Sequence, residues 1–339
     1  MNRHFMSSSE RLEQLPESGA PVLVLGESLV DIVTDDRGAR QAHPGGSPAN
    51  VALGLARLGE AVHFATRTGR DRYGELVREH LTGSGVRLTE GSVSDAPTST
   101  ATVTLDAHGS AGYAFDIGWD LPPGADLVRG RPAGYAHLHT GSIAATLAPG
   151  AEQVLAAVRA AGPTTTVSYD PNLRPALLGD PAVERPRIEA LVAAADLVKA
   201  SDEDLAWLHP GTAPERVAAD WVALGPALVV LTRGAAGAKV LWRHGCCEVP
   251  AVPVQVVDTI GAGDAFMSGL ISGLLRAGLL GAGGRSALQA ATATDRPAAR
   301  ITAAVTLAAR AAAITCGRPG ADPPTRTELS APLRQPSHP

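Results

Sequence analysis

A chain of 339 residues is longer than one small core needs, and 45% hydrophobic with 19% charged residues places it among ordinary globular enzymes rather than disordered or fibrous chains. Aromatics at 4%, a formal net charge of −5 and the lack of a basic run argue against nucleic acid as a partner. Three cysteines, Cys246, Cys247 and Cys316, show no metal-binding spacing and fit a reducing cytoplasm, and no stretch reads as apolar enough to span a membrane.

Residues 1–20 are polar, lack the apolar core of a signal peptide, and read as a flexible leader. Residues 21–33 read as a buried strand followed by a short second one, and the run His43-Pro44-Gly45-Gly46-Ser47-Pro48 as a turn. Ser47 as N-cap and Pro48 in the first helical position then predict a helix over 49–58. Strand-like 61–66 and an amphipathic helix over 73–81 follow. Residues 99–105 and 112–119 are rich in Thr, Val, Tyr and Phe around a turn at 107–110, the pattern of a hairpin. The hairpin interrupts the strand–helix alternation, which assigns it to a small β lid, with lid strands at about 30–45 and 98–119.

The alternation resumes after Gly134, with strands at 137–142, 164–169, 196–199 and 227–232 and helices at 150–161 and 183–194. This is the pattern of a mostly parallel sheet with helices on both faces, where ligands bind beyond the carboxyl ends of the strands. Asp170, Asn172, Arg174, Ser201, Asp204, Arg233 and Gly234 all follow predicted strands and would gather on one edge. His137 and His139 read as strand packing groups, and Trp119, Trp207, Trp221 and Trp242 as core or lid packing. The Ala-rich helix over 298–312 must be buried against something, and 321–339, rich in Pro and Thr, reads as a loose tail.

Two glycine clusters carry the chemistry. Asp258-Thr259-Ile260-Gly261-Ala262-Gly263-Asp264 opens an apolar helix, so small residues bring open backbone N–H groups to a helix start that attracts anions. Asp264, a carboxylate beside that anion site, suits a base taking a proton from a hydroxyl that attacks a phosphoryl group. The bland alternative is a tight turn with an N-cap Asp. In the second cluster, Gly45-Gly46-Ser47-Pro48-Ala49-Asn50, Asn50 can donate to and accept from a polyol, and Asp31 can take two sugar hydroxyls. A loop and N-cap without a ligand fits that cluster equally well.

Taken together, Gly45-Gly46-Ser47-Pro48-Ala49-Asn50-Val51-Ala52 with Leu55-Ala56-Arg57-Leu58-Gly59, and Asp258 to Phe266, resemble the N- and C-terminal signatures of the ribokinase-like (PfkB) carbohydrate kinases over residues 21–320. Asp170-Pro171-Asn172-Leu173-Arg174-Pro175, the run from Val198 to Leu205, Thr232-Arg233-Gly234 and Cys316-Gly317-Arg318-Pro319-Gly320 look most like the bacterial fructokinases. The resemblance implies a three-layer α/β/α sandwich with a small β lid closing over the sugar. It implies Asp264 as general base, the N–H groups of Gly261, Ala262 and Gly263 as anion hole, and Asp31, Gly45, Gly46, Asn50, Asp170, Asn172 and Arg174 around the sugar. The nucleotide would meet Lys199, Ser201, Thr232, Arg233, Gly234, Gly237 and Gly263. A monovalent cation such as K+ would lie at Asp258 and Thr259. Many relatives have Asn-x-x-Glu where this chain has Ser201-Asp202-Glu203-Asp204, so Asp204 stands in the place associated with Mg²⁺.

The implied activity is ATP-dependent phosphorylation of a sugar hydroxyl, with fructose to fructose 6-phosphate first and 2-keto-3-deoxygluconate, ribose or a nucleoside as alternatives. A sugar-binding regulatory protein without catalysis is the alternative of another class. The implied partners are a sugar and ATP, with neither nucleic acid nor membrane, and a homodimer through the lid.

Overall fold

In the computed structural model, which describes residues 20–34, 39–105, 111–120 and 134–332, the strand–helix alternation builds one large sheet and a small one. The first half contains β1 (Val22–Leu25), β2 (Leu29–Thr34), β3 (Arg40–Gly45), α1 (Ser47–Arg57), β4 (Val62–Ala65), β5 (Thr68–Gly69), α2 (Arg72–Thr82), β6 (Arg87–Leu88), β7 (Val93–Ser94), β8 (Thr100–Leu105) and β9 (Ala111–Asp116). There follow β10 (His137–Gly141), α3 (Gly150–Ala160), β11 (Thr166–Asp170), α4 (Pro181–Ala194), β12 (Leu197–Ser201), α5 (Asp202–Leu208), α6 (Pro214–Leu224) and β13 (Leu228–Thr232). The last part holds β14 (Ala238–Trp242), β15 (Gly245–Val249), α7 (Ala262–Arg276), α8 (Gly284–Ala291), α9 (Ala299–Cys316) and α10 (Arg326–Ser330).

The large sheet has nine strands in the order β15-β14-β13-β12-β11-β10-β1-β4-β6. It is parallel from β6 to β13, and β14 and β15 are added antiparallel at one edge. Buried strands alternate their side chains between two cores. Val22 and Val24 of β1 join the core made with Val51 and Leu55 of α1, Phe266 and Leu270 of α7 and Val305 of α9. Leu23 and Leu25 point the other way, to Val154 of α3, Ile188 of α4, Leu205 of α5 and Trp221 of α6. Because β1, β10, β11, β12 and β13 are parallel, their carboxyl ends meet along one edge, where Glu27, Ser142, Asp170, Ser201 and Arg233 follow. The small sheet runs β3-β2-β8-β9, with β2 antiparallel to β3 and parallel to β8.

Two expectations are corrected. The helix α9, 18 residues with mean hydropathy 1.3, is long and apolar enough to cross a bilayer, contrary to the reading that no stretch is. Its composition serves close packing instead. A Cβ on Gly269 of α7 would stand 2.9 Å from the Ala308 Cα, and one on Gly273 would stand 3.0 Å from the Ala304 Cα. Only paired small residues let two helix backbones approach this closely.

The second correction concerns the tail expected to be loose from 321. A capping box forms between Thr325 and Glu328 and starts α10, whose Leu329 is buried with Leu58 and Ala311. Arg57 pairs with Asp322 and donates to the Pro323 carbonyl at 2.7 Å, while Arg318 pairs with Glu328. A capping box, the buried Pro323, Pro324 and Leu329, and the Arg57 and Arg318 pairs together order a segment whose composition reads as tail. Residues 1–19, the turn at 107–110 and residues 333–339 lie outside the described residues.

If the α7–α9 contact holds the core as described, Gly269→Val forces the two backbones apart. It is expected to destabilise the fold by about 1–3 kcal/mol, read as a lowered urea midpoint with an unchanged slope.

Candidate active site

The first turns of α1 and α7 face each other. Asp264, third residue of α7 and 6% exposed, accepts hydrogen bonds from Ser47 Oγ (2.7 Å), Asn50 Nδ2 (2.8 Å) and Asn172 Nδ2 (3.3 Å). Asn172 also donates to Ser47 Oγ at 2.7 Å and accepts from Arg174 at 2.6 Å. Ser47 was expected to cap α1, but Gly46 is the N-cap and the Ser47 hydroxyl is turned to Asp264 instead. Ser47 is therefore a site residue that the sequence reading missed. Its position before Pro48 gave a capping signal and no other.

Beside this cluster, Asp31 on β2 is paired across the strands with His43 on β3. Gly45 gives it room, since a Cβ there would stand 2.2 Å from Asp31 Oδ2. Burial raises the Asp31 carboxyl, while the charges of Arg174 and His43 pull it back. Glu27, at the end of β1, was also missed, because a single acid closing an apolar strand gives no functional pattern. It is 2% exposed, and its Oε2 accepts the Ala144 N–H at 2.9 Å. Oε1 is buried without a partner among the described residues, and burial pushes the group up to about 7.

At the anion site, Ala262 departs from the expected set. Its N–H is given to the Thr259 carbonyl at 3.2 Å, whereas those of Gly261, Gly263 and Asp264 have no partner among the described residues. Asp170, expected near the sugar, is instead fully buried and ion-paired with Lys199 at 2.9 Å. Burial pushes Asp170 up to about 6, against the downward pull of the Lys199 ammonium. Burial opposes the charge on Lys199, but Asp170 raises it, so the pair is ionised at neutral pH.

Ser201 and Asp204 form the capping box of α5, and Asp204 also accepts the Leu173 N–H at 2.7 Å. Oδ1 of Asp204 thus fixes the loop that carries Asn172, while Oδ2 accepts the Ser201 N–H and caps α5. No group of three His, Cys, Asp or Glu able to hold a metal occurs among the described residues. Thr232 donates to the Ala200 carbonyl at 3.3 Å. Arg233 is turned to Glu248 (3.2 Å) and Glu215 (3.9 Å), an ordinary ion pair, beside the turn that holds Gly234 and Gly237. Asp258 accepts the N–H groups of Ile260 (3.0 Å) and Gly320 (2.8 Å), which lower its carboxyl. His137 and His139 lie among the hydroxyls of Thr166 and Ser168, and burial pushes both down to about 3, so they are neutral packing groups.

The geometry is a helix start with open N–H groups, a carboxylate at its mouth and a cluster of Ser47, Asn50 and Asn172 around that carboxylate. Residues 21–328 match the pfkB family carbohydrate kinases. The chain belongs to that family. It is 37% identical to a fructokinase of Klebsiella pneumoniae over 270 residues, 76% of this chain and 85% of the relative. A fructokinase of Escherichia coli is 35% identical over 274 residues, covering 77% and 86%.

Among solved structures, the fructokinase of Xylella fastidiosa with bound ATP superimposes with a TM-score of 0.76 at 28% identity, covering 91% of this chain and 97% of that one. The Vibrio cholerae fructokinase bound to fructose, ADP and calcium ion gives 0.72 at 30%, with the same coverage. The fold of this pfkB kinase is ribokinase-like, and the protein is a sugar kinase, a phosphotransferase.

Protonated Glu27 is favoured by the fold. The stability it contributes is complete below its ordinary value of 4.5 and is lost as pH rises through about 7. Glu27→Gln is therefore expected to match wild type near pH 5 and to exceed it increasingly up to pH 8, by at most about 3 kcal/mol, in urea denaturation across that range.

Proposed function

We propose that this kinase transfers the γ-phosphoryl group of ATP to the primary hydroxyl of D-fructose, giving fructose 6-phosphate, with Asp264 as general base. The observation that carries this reading is the position of Asp264. Its carboxylate joins the open N–H groups of Gly261, Gly263 and Asp264 to the polar cluster of Ser47, Asn50 and Asn172.

In this reading Asp31, Asn50, Asn172 and Arg174 orient the sugar, with Gly45 and Gly46 keeping its path clear. The sugar hydroxyl takes the place of the long Asn172 hydrogen bond on Asp264 and passes its proton to the carboxylate as it attacks. The open N–H groups then face the oxygens on which charge gathers in transfer, donors fixed before the reaction begins. The sheet of β2, β3, β8 and β9 serves as the lid that excludes water. Exposed Val256, Val257 and Ile260 offer an apolar edge for the nucleotide base next to Gly261. Lys199, Thr232, Gly234 and Gly237 line the strand ends on the same side.

Mg²⁺ would neutralise phosphate charge. Because Asp204 is already engaged, the ion fits this chain as one carried by the nucleotide rather than by a protein cage. The Vibrio cholerae structures contain calcium or potassium ion. The hard oxygens of Asp258 and Thr259 suit a monovalent cation such as K+. A cytoplasmic protein, and a homodimer formed through edge strands of the lid, complete the proposal.

A riboside is the second reading, favoured by the likeness to the aminoimidazole riboside kinase of Salmonella enterica, with a TM-score of 0.70 at 26% identity. ADP release measured over fructose, ribose, 2-keto-3-deoxygluconate and nucleosides, with the product's phosphate located, decides between them. The expected outcome is fructose first, phosphorylated at its 6-position. Asp264→Asn is expected to retain sugar and ATP binding and to lose turnover by roughly 10²–10⁴. Near-normal turnover in that variant would remove Asp264 from the role.

A further inference from the structure

Asp170 and Lys199 are both almost wholly out of water, their side chains 1% and 4% exposed. A buried ion pair is a poor way to stabilise a fold, because apolar side chains of similar size often do as well or better. Its position says more. Lys199 Nζ stands 3.1 Å from where a Cβ on Gly263 would be, directly beside the first turn of α7. An ammonium has three donors, and among the described residues one of them is given to Asp170. The neighbouring N–H groups of Gly263 and Asp264 are open. Asp170 Oδ1 is buried and has no hydrogen-bond partner among the described residues, so Lys199 is the one partner found there for this carboxylate. Asp170, Asp204 and Asp264 all act on Lys199 by charge, which makes that corner acidic unless the ammonium stays in it.

We propose that Asp170 is a positioning residue for phosphoryl transfer: it clamps Lys199 beneath the first turn of α7, so that the ammonium and the N–H groups of Gly263 and Asp264 face one anion. A Cβ on Gly263 would press against the ammonium, which the pair with Asp170 holds in place. The inference rests on reading the 261–264 turn as the phosphate site. It moves Asp170 from the sugar, where the sequence put it, to the other reactant.

A buried ammonium in a dry site acts on a phosphoryl oxygen with little screening, and a charged hydrogen bond is about twice as strong as a neutral one. Asp170→Asn keeps the shape of the clamp but removes the charge that holds the ammonium there.

The test compares steady-state kinetics and melting temperature for wild type, Asp170→Asn, Lys199→Met and the apolar double variant Asp170→Leu with Lys199→Met. Asp170→Asn is expected to lower kcat roughly 10- to 100-fold, with the sugar KM within about twofold. Lys199→Met is expected to lose at least as much. The double variant is expected to recover melting temperature while its kcat stays as low as that of Lys199→Met, because Asp170 acts through Lys199.

Activity returning with stability in the double variant would make the pair structural and overturn the proposal. An unchanged kcat in Asp170→Asn would do the same. If Lys199→Met does not fold, Lys199→Gln takes its place and the same two results decide. A wild-type protein that phosphorylates no sugar would sink the assigned reaction, whereas an active wild type with an indifferent Asp170→Asn sinks this inference alone.

Discussion

The site depends on one contact between distant parts of the chain. Ser47 and Asp264 are 217 positions apart, yet the hydroxyl of one meets the carboxylate of the other at 2.7 Å. For this to happen, two helices must begin at the same edge of the sheet and point their first turns at each other. The parallel strands provide that edge. The two helices lie against the same face of the sheet, so their starts approach without crossing its hydrogen-bonded ladder.

The price of gathering so many carboxylates on one edge is electrostatic, and the structure meets it group by group. Asp264 is held by three side-chain donors, Asp204 by two backbone N–H groups and Asp258 by two more. Asp170 has an ammonium, and Glu27, with one oxygen unpartnered among the described residues, binds its proton more tightly. Each solution follows from how far the group is from water and which donors the neighbouring loop offers.

Much of this was legible in the sequence because it follows local rules. Strand–helix alternation gives the parallel sheet, and small residues ahead of an apolar helix give a helix start with open N–H groups. What was not legible depends on the third dimension. Ser47 carries the same letters whether it caps its own helix or reaches across to another. Asp170 follows a strand as a ligand residue would, and only its depth, with Lys199 on the next strand, reveals its partner. The order of residues 321–330 rests on a capping box, a few buried side chains and two arginines reaching in from elsewhere in the chain. Arg233 meets ordinary acidic neighbours on β15 and α6, which no spacing pattern marks.

The glycine–alanine seam between α7 and α9 has a consequence for how such an enzyme can diverge. With backbones this close, the helix that carries Asp264 has no slack, and the floor of the site cannot be retuned by small adjustments there. Asp31 and His43, by contrast, belong to a separate four-stranded sheet, whose β2 and β3 join the body through the short segments 26–28 and Gly46. If that sheet covers the sugar as proposed, new preferences are most easily acquired by redecorating it, while the closely packed helices are inherited unchanged.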